Sequence, residues 1–144
     1  MAITQALPNS FKKQLLDGDQ DFSASGGDKF KLALYVSTAT LGAATTSYTT
    51  SGEVSASGTG YTTTGLPLVN SGTSVVSTVA FTDFADLSFQ NVTLTARGAL
   101  IYNTSFSNSA VAVLNFTTDK TATSGTFTIQ FPAFTSSAAI IRIS

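Results

Sequence analysis

Apolar and polar residues alternate with a period of two through much of the chain, most clearly over residues 30–36, 87–96 and 127–131. That period places every second side chain on one face of an extended strand. The segments recur about every ten residues with turn-forming sequence between them, which is typical of antiparallel sheets. The pattern predicts an all-β protein: an antiparallel β-sandwich or a small barrel, of the jelly-roll or immunoglobulin-like kind.

Single residues set more detailed expectations within this pattern. Gly98 divides an alternating segment from an apolar run, which predicts a β-bulge or a change of face at the glycine. The segment 111–116 is apolar on both faces, so we expect a central strand there. Residues 117–125 are predicted to form a connecting loop. Pro132 should end the strand that follows, and residues 140–143 should form the last strand.

The only helical pattern lies in residues 1–28, which we expect to form an N-terminal arm. Asn9 or Ser10 could cap a short helix, and Gly18 would end it. One apolar face of that helix would carry Phe11, Leu15 and Leu16. A helix this short is not stable alone, so the arm must dock on another surface. Residues 29–144 would form a single β domain.

Residues 37–78 are rich in Thr, Ser and Gly and alternate only weakly. Pro67 restricts its segment to a sheet edge or a loop. We expect extended loops and short edge strands here, held by apolar anchors. Those anchors are Tyr48, Val54, Tyr61 and Leu68.

The composition narrows the range of functions. The 144 residues contain no His, Cys or Trp. Of the 15 charged side chains (7 Lys and Arg plus 8 Asp and Glu), eight lie in the first 31 residues. Imidazole is the usual proton-transfer group near neutral pH, and thiolate is the usual soft nucleophile and metal ligand. Most enzyme mechanisms are therefore closed to this chain, and we expect neither catalysis nor a cofactor.

Charge and hydropathy also argue against two kinds of partner. A nucleic-acid partner would need a basic surface, whereas the formal net charge is −1. No apolar run approaches the roughly 20 residues of a membrane span. The N-terminus lacks the charged and apolar regions of a signal peptide, so we expect synthesis in a cytoplasm.

Thr and Ser together number 43. Threonine favours strands, and a strand face covered with it is polar without being charged. Such a face suits the close approach of neighbouring subunits, because burial of an unpaired charge is costly. An ordinary solvent-exposed face explains the pattern equally well.

Four carboxylates of the arm have the spacing of a calcium-binding loop. Asp17, Asp19, Asp21 and Asp28 stand at positions 1, 3, 5 and 12 of that motif. Phe22 occupies the position of the motif's Gly, and the last ligand is Asp instead of Glu. A solvated acidic turn with Phe22 in the core is therefore the favoured interpretation.

Two other motifs have simpler explanations than chemistry. Ser10 and Lys13 match the serine-x-x-lysine pattern of acyl-transfer enzymes, but a helix cap beside exposed lysines accounts for them better. Asp83 and Asp86 could form a carboxylate pair, but Asp in a turn more often binds backbone amides.

Arg97 is a lone charge in an apolar strand, where an unpaired charge is costly. We expect it to pair with Asp83, Asp86 or Glu53, or to lie across a subunit boundary.

Four runs of sequence together resemble a known family. They are Phe30-Lys31-Leu32-Ala33-Leu34-Tyr35, Gly58-Thr59-Gly60-Tyr61, Leu94-Thr95-Ala96-Arg97-Gly98-Ala99-Leu100-Ile101-Tyr102 and Phe127-Thr128-Ile129-Gln130-Phe131-Pro132. In this order and spacing the chain resembles, over nearly its whole length, a family of small structural proteins of marine and cyanobacterial tailed phages. It departs from the family at residues 54–65, where members have a shorter and more Gly-rich stretch. The resemblance brings no catalytic motif and implies a place among virion proteins.

We therefore expect a virion structural protein, made in the cytoplasm of a host bacterium. The favoured role is a capsid decoration or cement protein that binds the major capsid protein on the outer head surface. It would act as a homo-oligomer, with a trimer favoured. A tail, neck or fibre-adaptor component is the alternative, and a carbohydrate-binding module with exposed tyrosines is a second alternative. The side chains expected at interfaces are Phe11, Leu15, Leu16, Phe22, Tyr48, Tyr61 and Arg97.

Overall fold

The computed structural model describes residues 2–144, and within that range it contains one helix and seven strands. These are α1 (Asn9–Asp17), β1 (Phe30–Tyr35), β2 (Leu66–Pro67), β3 (Asn70–Val76), β4 (Val79–Phe84), β5 (Leu87–Asn103), β6 (Ser109–Ile129) and β7 (Ile141–Ile143). The strands form two antiparallel sheets, with strand orders β2-β1-β5-β6 and β3-β4-β7. The predicted all-β class is confirmed, and the two sheets with one short helix are consistent with a sandwich.

Strand β1 is buried on both faces, although its alternation predicted a half-buried strand. Phe30, Leu32 and Leu34 point into the main core between the sheets. Ala33 and Tyr35 belong to a second core on the opposite face of the same sheet. Residues near the N-terminus and in the loop after β1 cover that second face, so the small and aromatic residues of β1 are buried as well.

Strands β5 and β6 form a long hairpin, and the predicted loop at residues 117–125 is wrong. Residues 117–125 are part of β6, and among them only Ala122 is buried. The apolar alternation is therefore almost absent, although the backbone stays paired with β5. The bulge predicted at Gly98 is confirmed, because the pairing of β5 with β6 shifts between Ala96 and Gly98.

The first part of β6 is an edge strand, not the central strand that its apolar residues predicted. β6 stands at the end of its sheet order. Ala6 bridges Val113 and Ser47 bridges Ser109, so two loop segments cover the edge where a strand was expected. Both faces of this part are nevertheless buried, because Val111 and Ala112 lie in the main core and Ala110 and Val113 in the second core.

Strand β6 also bends sharply. The rings of Phe116 and Phe127 lie with their centroids 6.2 Å apart. Extended strand rises about 3.4 Å per residue, so the eleven steps between them would otherwise span about 37 Å. Left-handed backbone at Thr117 and Ser124, together with register shifts along the β5 pairing, accommodates the bend.

Helix α1 docks on the sheets through one side chain in particular. Phe11 is fully buried, Leu15 is half-buried and Leu16 is 91% exposed. Leu16 was predicted on the same buried face as Phe11, and this prediction is wrong. Leu15 follows Phe11 by four residues and shares its helix face, whereas Leu16 follows it by five and does not. The predicted Asn9 or Ser10 cap is also wrong, since Pro8 holds the N-cap position without a side-chain cap; Gly18 ends the helix in the left-handed conformation, as predicted.

A row of phenylalanines joins the N-terminal segment to both sheets. Phe22 stacks on Phe30 with ring centroids 4.7 Å apart, and it contacts Phe11 and Phe84 edge-on. Phe84 in turn packs against Phe131. Residues 2–28 therefore share the main core of the β domain.

The prediction of short edge strands and extended loops for residues 37–78 is confirmed. Pro67 lies in β2, a two-residue strand at the sheet edge. The anchors Val54, Tyr61 and Leu68 are buried, and Tyr48 is partly buried. In the part of the chain that is described, no helix is long and apolar enough to cross a bilayer.

Candidate functional site

Glu53 is the centre of a hydrogen-bonded cluster near all four tyrosines of the chain. Its carboxylate accepts hydrogen bonds from the Tyr48 hydroxyl, from the Tyr61 hydroxyl at 2.7 Å and from the Thr64 amide at 2.8 Å. Its backbone also bridges Tyr35. One half-buried anion thus joins three parts of the loop that connects β1 to β2.

The remaining tyrosines close the cluster. The Tyr102 hydroxyl donates to the Thr64 carbonyl at 2.6 Å, and the Tyr35 hydroxyl donates to the Thr49 carbonyl at 2.6 Å. The Tyr48 and Tyr102 rings stack with centroids 4.8 Å apart. Burial raises the pKa of the Tyr35 hydroxyl; burial and then the bond to Glu53 raise the pKa of Tyr61. The phenols therefore stay protonated near neutral pH and donate hydrogen bonds within the cluster.

Gly65 fixes the same loop against β1. Its φ is +78°, in the left-handed region, and a Cβ there would lie 1.9 Å from the Leu32 carbonyl oxygen. Only glycine allows this approach. The Glu53 cluster and the Gly65 contact are therefore a structural clamp on residues 37–65.

Arg97 pairs with Asp119 and with none of the three predicted carboxylates. The Arg97 Nε lies 2.8 Å from Asp119 Oδ1, and the side chains are 34% and 49% exposed. Asp119 was missed because its segment was predicted to be a loop. An ion pair this exposed contributes about 0–1 kcal/mol to stability.

The four carboxylates with calcium-loop spacing do not converge. Asp17 pairs with Lys13, Asp21 accepts from the Ser23 amide, and Asp28 accepts from the Asp21 amide and from Asn103. No three acidic side chains within residues 2–144 form a group that could hold a metal ion. Phe22 lies in the core, as the solvated-turn interpretation predicted.

The remaining candidates for chemistry are also separate. The Ser10 hydroxyl is buried without a hydrogen-bond partner, whereas Lys13 is exposed. Asp86 Oδ1 accepts from the Phe131 amide at 2.7 Å, the backbone contact predicted for such a residue. Asp83 is 1% exposed and accepts from the Phe84 amide through Oδ1.

The second oxygen of Asp83, Oδ2, has no hydrogen-bond partner in the described chain. Burial raises the pKa of the Asp83 carboxyl, and the Phe84 amide offsets part of that rise. The Ile140 amide also favours the charged form, but it is not in hydrogen-bonding geometry with Oδ2. Asp83 is therefore a buried carboxylic acid whose neutral form is favoured more strongly than that of a solvent-exposed aspartic acid.

Three of the seven expected interface side chains lie inside the chain. Phe11, Phe22 and Tyr61 are at most 6% exposed, which leaves them no surface for a partner. Leu16 is fully available, and Arg97 is partly so. Leu15 and Tyr48 are half-buried.

The outer face of the β5–β6 hairpin carries hydroxyls in cross-strand pairs. The Thr95 and Thr121 hydroxyls are 2.9 Å apart, and those of Ser88 and Thr128 are 3.0 Å apart. All four residues are exposed. The predicted Thr-covered strand face is therefore present, with the Arg97–Asp119 pair beside it.

A groove of about 600 Å³ lies between the two arms of the bent β6. Its apolar lining comes from Leu114, Phe116, Phe127, Ile129, Phe131 and Ile140. Lys120 lies at the same groove and is the charged residue in its lining. The groove was not predicted, because it depends on the bend in β6, which leaves no periodic signal.

Comparisons with protein-family models, with curated proteins and with solved structures give no significant match to this chain.

Proposed function

We propose that this chain is a structural protein of a phage virion, and most specifically a capsid decoration protein that binds the major capsid protein on the outer head surface. The sequence resemblance to small tailed-phage proteins motivates the proposal. The observation that carries it is the exposed hydroxyl face of the β5–β6 hairpin, with its Thr95–Thr121 and Ser88–Thr128 pairs.

A hydroxyl face of this kind can be buried against another protein at low cost. Each hydroxyl can exchange water for a partner's polar group, and no isolated ion has to be desolvated. The lone arginine on this face is already paired with Asp119. These properties suit a module that bridges neighbouring subunits of a shell.

The distribution of copies on purified virions tests the decoration role. Cryo-electron microscopy should show this chain in hundreds of copies spread over the head. A few copies at one vertex would instead support the alternative, a tail, neck or fibre-adaptor component. Absence from the particle would contradict both.

The hydroxyl face itself is tested with heads that lack the protein. We expect Thr95→Lys and Thr121→Lys to weaken rebinding to such heads at least tenfold, because each puts an unpaired charge into the interface. Thr63→Lys makes the same change at an exposed position of the β1–β2 loop and is the control. Equal rebinding by all three variants would exclude this face as the docking surface.

The oligomeric state is a separate part of the proposal. Light scattering of the free protein, and the symmetry of its density on the head, should give a homo-oligomer, with a trimer favoured. The carbohydrate-binding alternative receives less support, because Tyr61 and Tyr102 are at most 3% exposed and have little ring surface for a sugar.

A further inference from the structure

Residues 118–123 of β6 form a free sheet edge. The earlier part of the edge is covered: Ala6 bridges Val113, and the Gln5 side chain accepts from the Asn115 amide. Beyond it, no segment within residues 2–144 pairs with residues 118–123 on the side away from β5. Alternate residues of such an edge turn their N–H and C=O groups outward, ready to pair with another strand.

The free edge has defined ends. Thr117 and Ser124 both have left-handed backbone, with φ of 67° and 44°. Strand conformation between them covers at most six residues, of which Lys120, Thr121 and Ala122 pair in register with β5. A partner strand of about six residues would match this length.

The groove lies beside the same edge. Lys120 and Ala122 lie on one face of β6, because side chains two residues apart share a strand face. Ala122 is buried in the main core, while the exposed Lys120 lines the groove with Phe116 and Phe127. In the described chain Lys120 takes part in neither of the two salt bridges. An occupant would therefore meet an apolar surface and one uncompensated positive charge.

We propose that residues 118–123 and the adjoining groove receive an extended segment of a different polypeptide, which adds a strand to the β2-β1-β5-β6 sheet. The segment carries apolar side chains that enter the groove and an Asp or Glu that pairs with Lys120. Backbone hydrogen bonds along an edge supply affinity, and alternate side chains supply selectivity.

Charge argues against a second copy as the occupant. Two copies that paired antiparallel about the middle of this edge would place their Lys120 side chains within two positions of each other on one face. Like charges so placed are destabilising. A partner strand with an acidic side chain next to Lys120 avoids this repulsion and pairs with the lysine instead.

The inference goes beyond the proposed function, because it concerns any polypeptide that offers such a segment. The strand-addition proposal can be wrong although the chain is found on phage heads. It can equally be right if the chain is found elsewhere.

The test uses the full chain labelled with ¹⁵N and a pool of acetylated, amidated hexapeptides of the form Thr-Z-Thr-Z-Thr-Asp, where Z is Val, Leu, Ile or Phe, so that both Z side chains and the Asp lie on one strand face. At about 1 mM peptide, a concentration that detects weak binding, amide shifts should be confined to residues 114–131, to their β5 partners at residues 94–96, and to Gln5 and Ile140, which also line the groove. Lys120→Glu should weaken binding about tenfold, and a pool with Lys in place of Asp should then bind the variant better. Lys12→Glu, the same charge change on the exposed face of α1, should bind like the original chain.

Two N-methylated pools separate strand addition from simple filling of the groove. Each blocks one set of alternate amides, so one of the two must lose binding if the backbone pairs with the edge. No shifts with the Asp pool, shifts mainly outside the strand edge and the groove lining, equal binding by Lys120→Glu, or full binding by both N-methylated pools would each overturn the proposal. Decanoate that shifts the groove amides when the peptides do not would show a small-molecule pocket instead.

Discussion

At the scale of single residues, Glu53 joins three parts of the loop between β1 and β2. It is the only Asp, Glu, Lys or Arg in residues 37–78, and its carboxylate receives donors from Tyr48, Tyr61 and Thr64. Hydrogen bonds to a charged acceptor are stronger than those between neutral groups. The lone charge in residues 37–78 was the available sequence signal, and it was used only as a possible partner for Arg97.

We expect Glu53→Gln to lower the free energy of unfolding by about 1.5–3 kcal/mol, because the amide presents a donor where a carboxylate oxygen accepted from a tyrosine. Urea unfolding followed by circular dichroism measures this. Asp119→Asn is the matched control, since it removes an exposed carboxylate and should cost less than about 1 kcal/mol. Equal costs for the two variants would show that the cluster does not hold the loop.

Phe11 and Leu16 form a second matched pair, five residues apart on one helix. Phe11→Ala should lower the free energy of unfolding by about 3–5 kcal/mol, because it empties a fully buried site. Leu16→Ala should change it by less than about 0.5 kcal/mol, because that side chain is 91% exposed. Thermal and urea unfolding check both values. A small cost for Phe11→Ala would mean that α1 is a detachable arm.

At the scale of elements, the loop between β1 and β2 depends on close backbone contact. Gly65→Ala should destabilise the protein by more than about 2 kcal/mol, since it combines left-handed strain with a clash against Leu32. Gly58→Ala is the control: Gly58 has φ of +72°, but a Cβ added there would meet nothing within 4 Å. It should cost only the strain, about 1 kcal/mol. Urea unfolding of the two variants side by side separates the clash from the strain.

Strands with apolar alternation could be predicted from the sequence, and those without it could not. β1 could be predicted because its core-facing residues Leu32 and Leu34 alternate with other residues along the strand. Residues 117–125 of β6 were missed because Ala122 alone is buried there. The partner of Arg97 was missed for the same reason, since Asp119 lies in that segment.

The candidate site was less predictable than the fold. The hydroxyl face follows from threonine content and strand propensity, which are local properties. The groove requires Phe116 and Phe127 to meet across a bend, and Glu53 requires three donors to converge from separate turns. Such arrangements depend on tertiary packing, which leaves no periodic pattern in the sequence.

At the scale of the whole molecule, Asp83 should make stability depend on pH. Its pKa is raised in the folded state, chiefly by burial, so folding favours the protonated form. The contribution of this carboxyl to stability is complete below its unfolded pKa, near 3.8, and is lost as the pH rises through the folded pKa.

The Asp83 contribution is measured as the difference in unfolding free energy between the original chain and Asp83→Asn across pH 3 to 8. Because Asn cannot ionise, the original chain should lose stability relative to the variant as the pH rises, whatever constant offset the substitution adds. A difference that does not change with pH would show that Asp83 ionises in the folded protein as it does in the unfolded chain.

The bridge between Ala6 and Val113 also governs when the protein can fold. During translation, Ala6 and its neighbours leave the ribosome before β6 and must wait for that strand to be made before they reach their place beside it. The packing of Phe11 and Phe22 into the core is delayed in the same way, because Phe84 and the strands around it are synthesised later. The nascent chain therefore exposes these aromatic residues until the later strands have been made, and a chaperone that holds unfolded apolar segments should raise the yield of this protein.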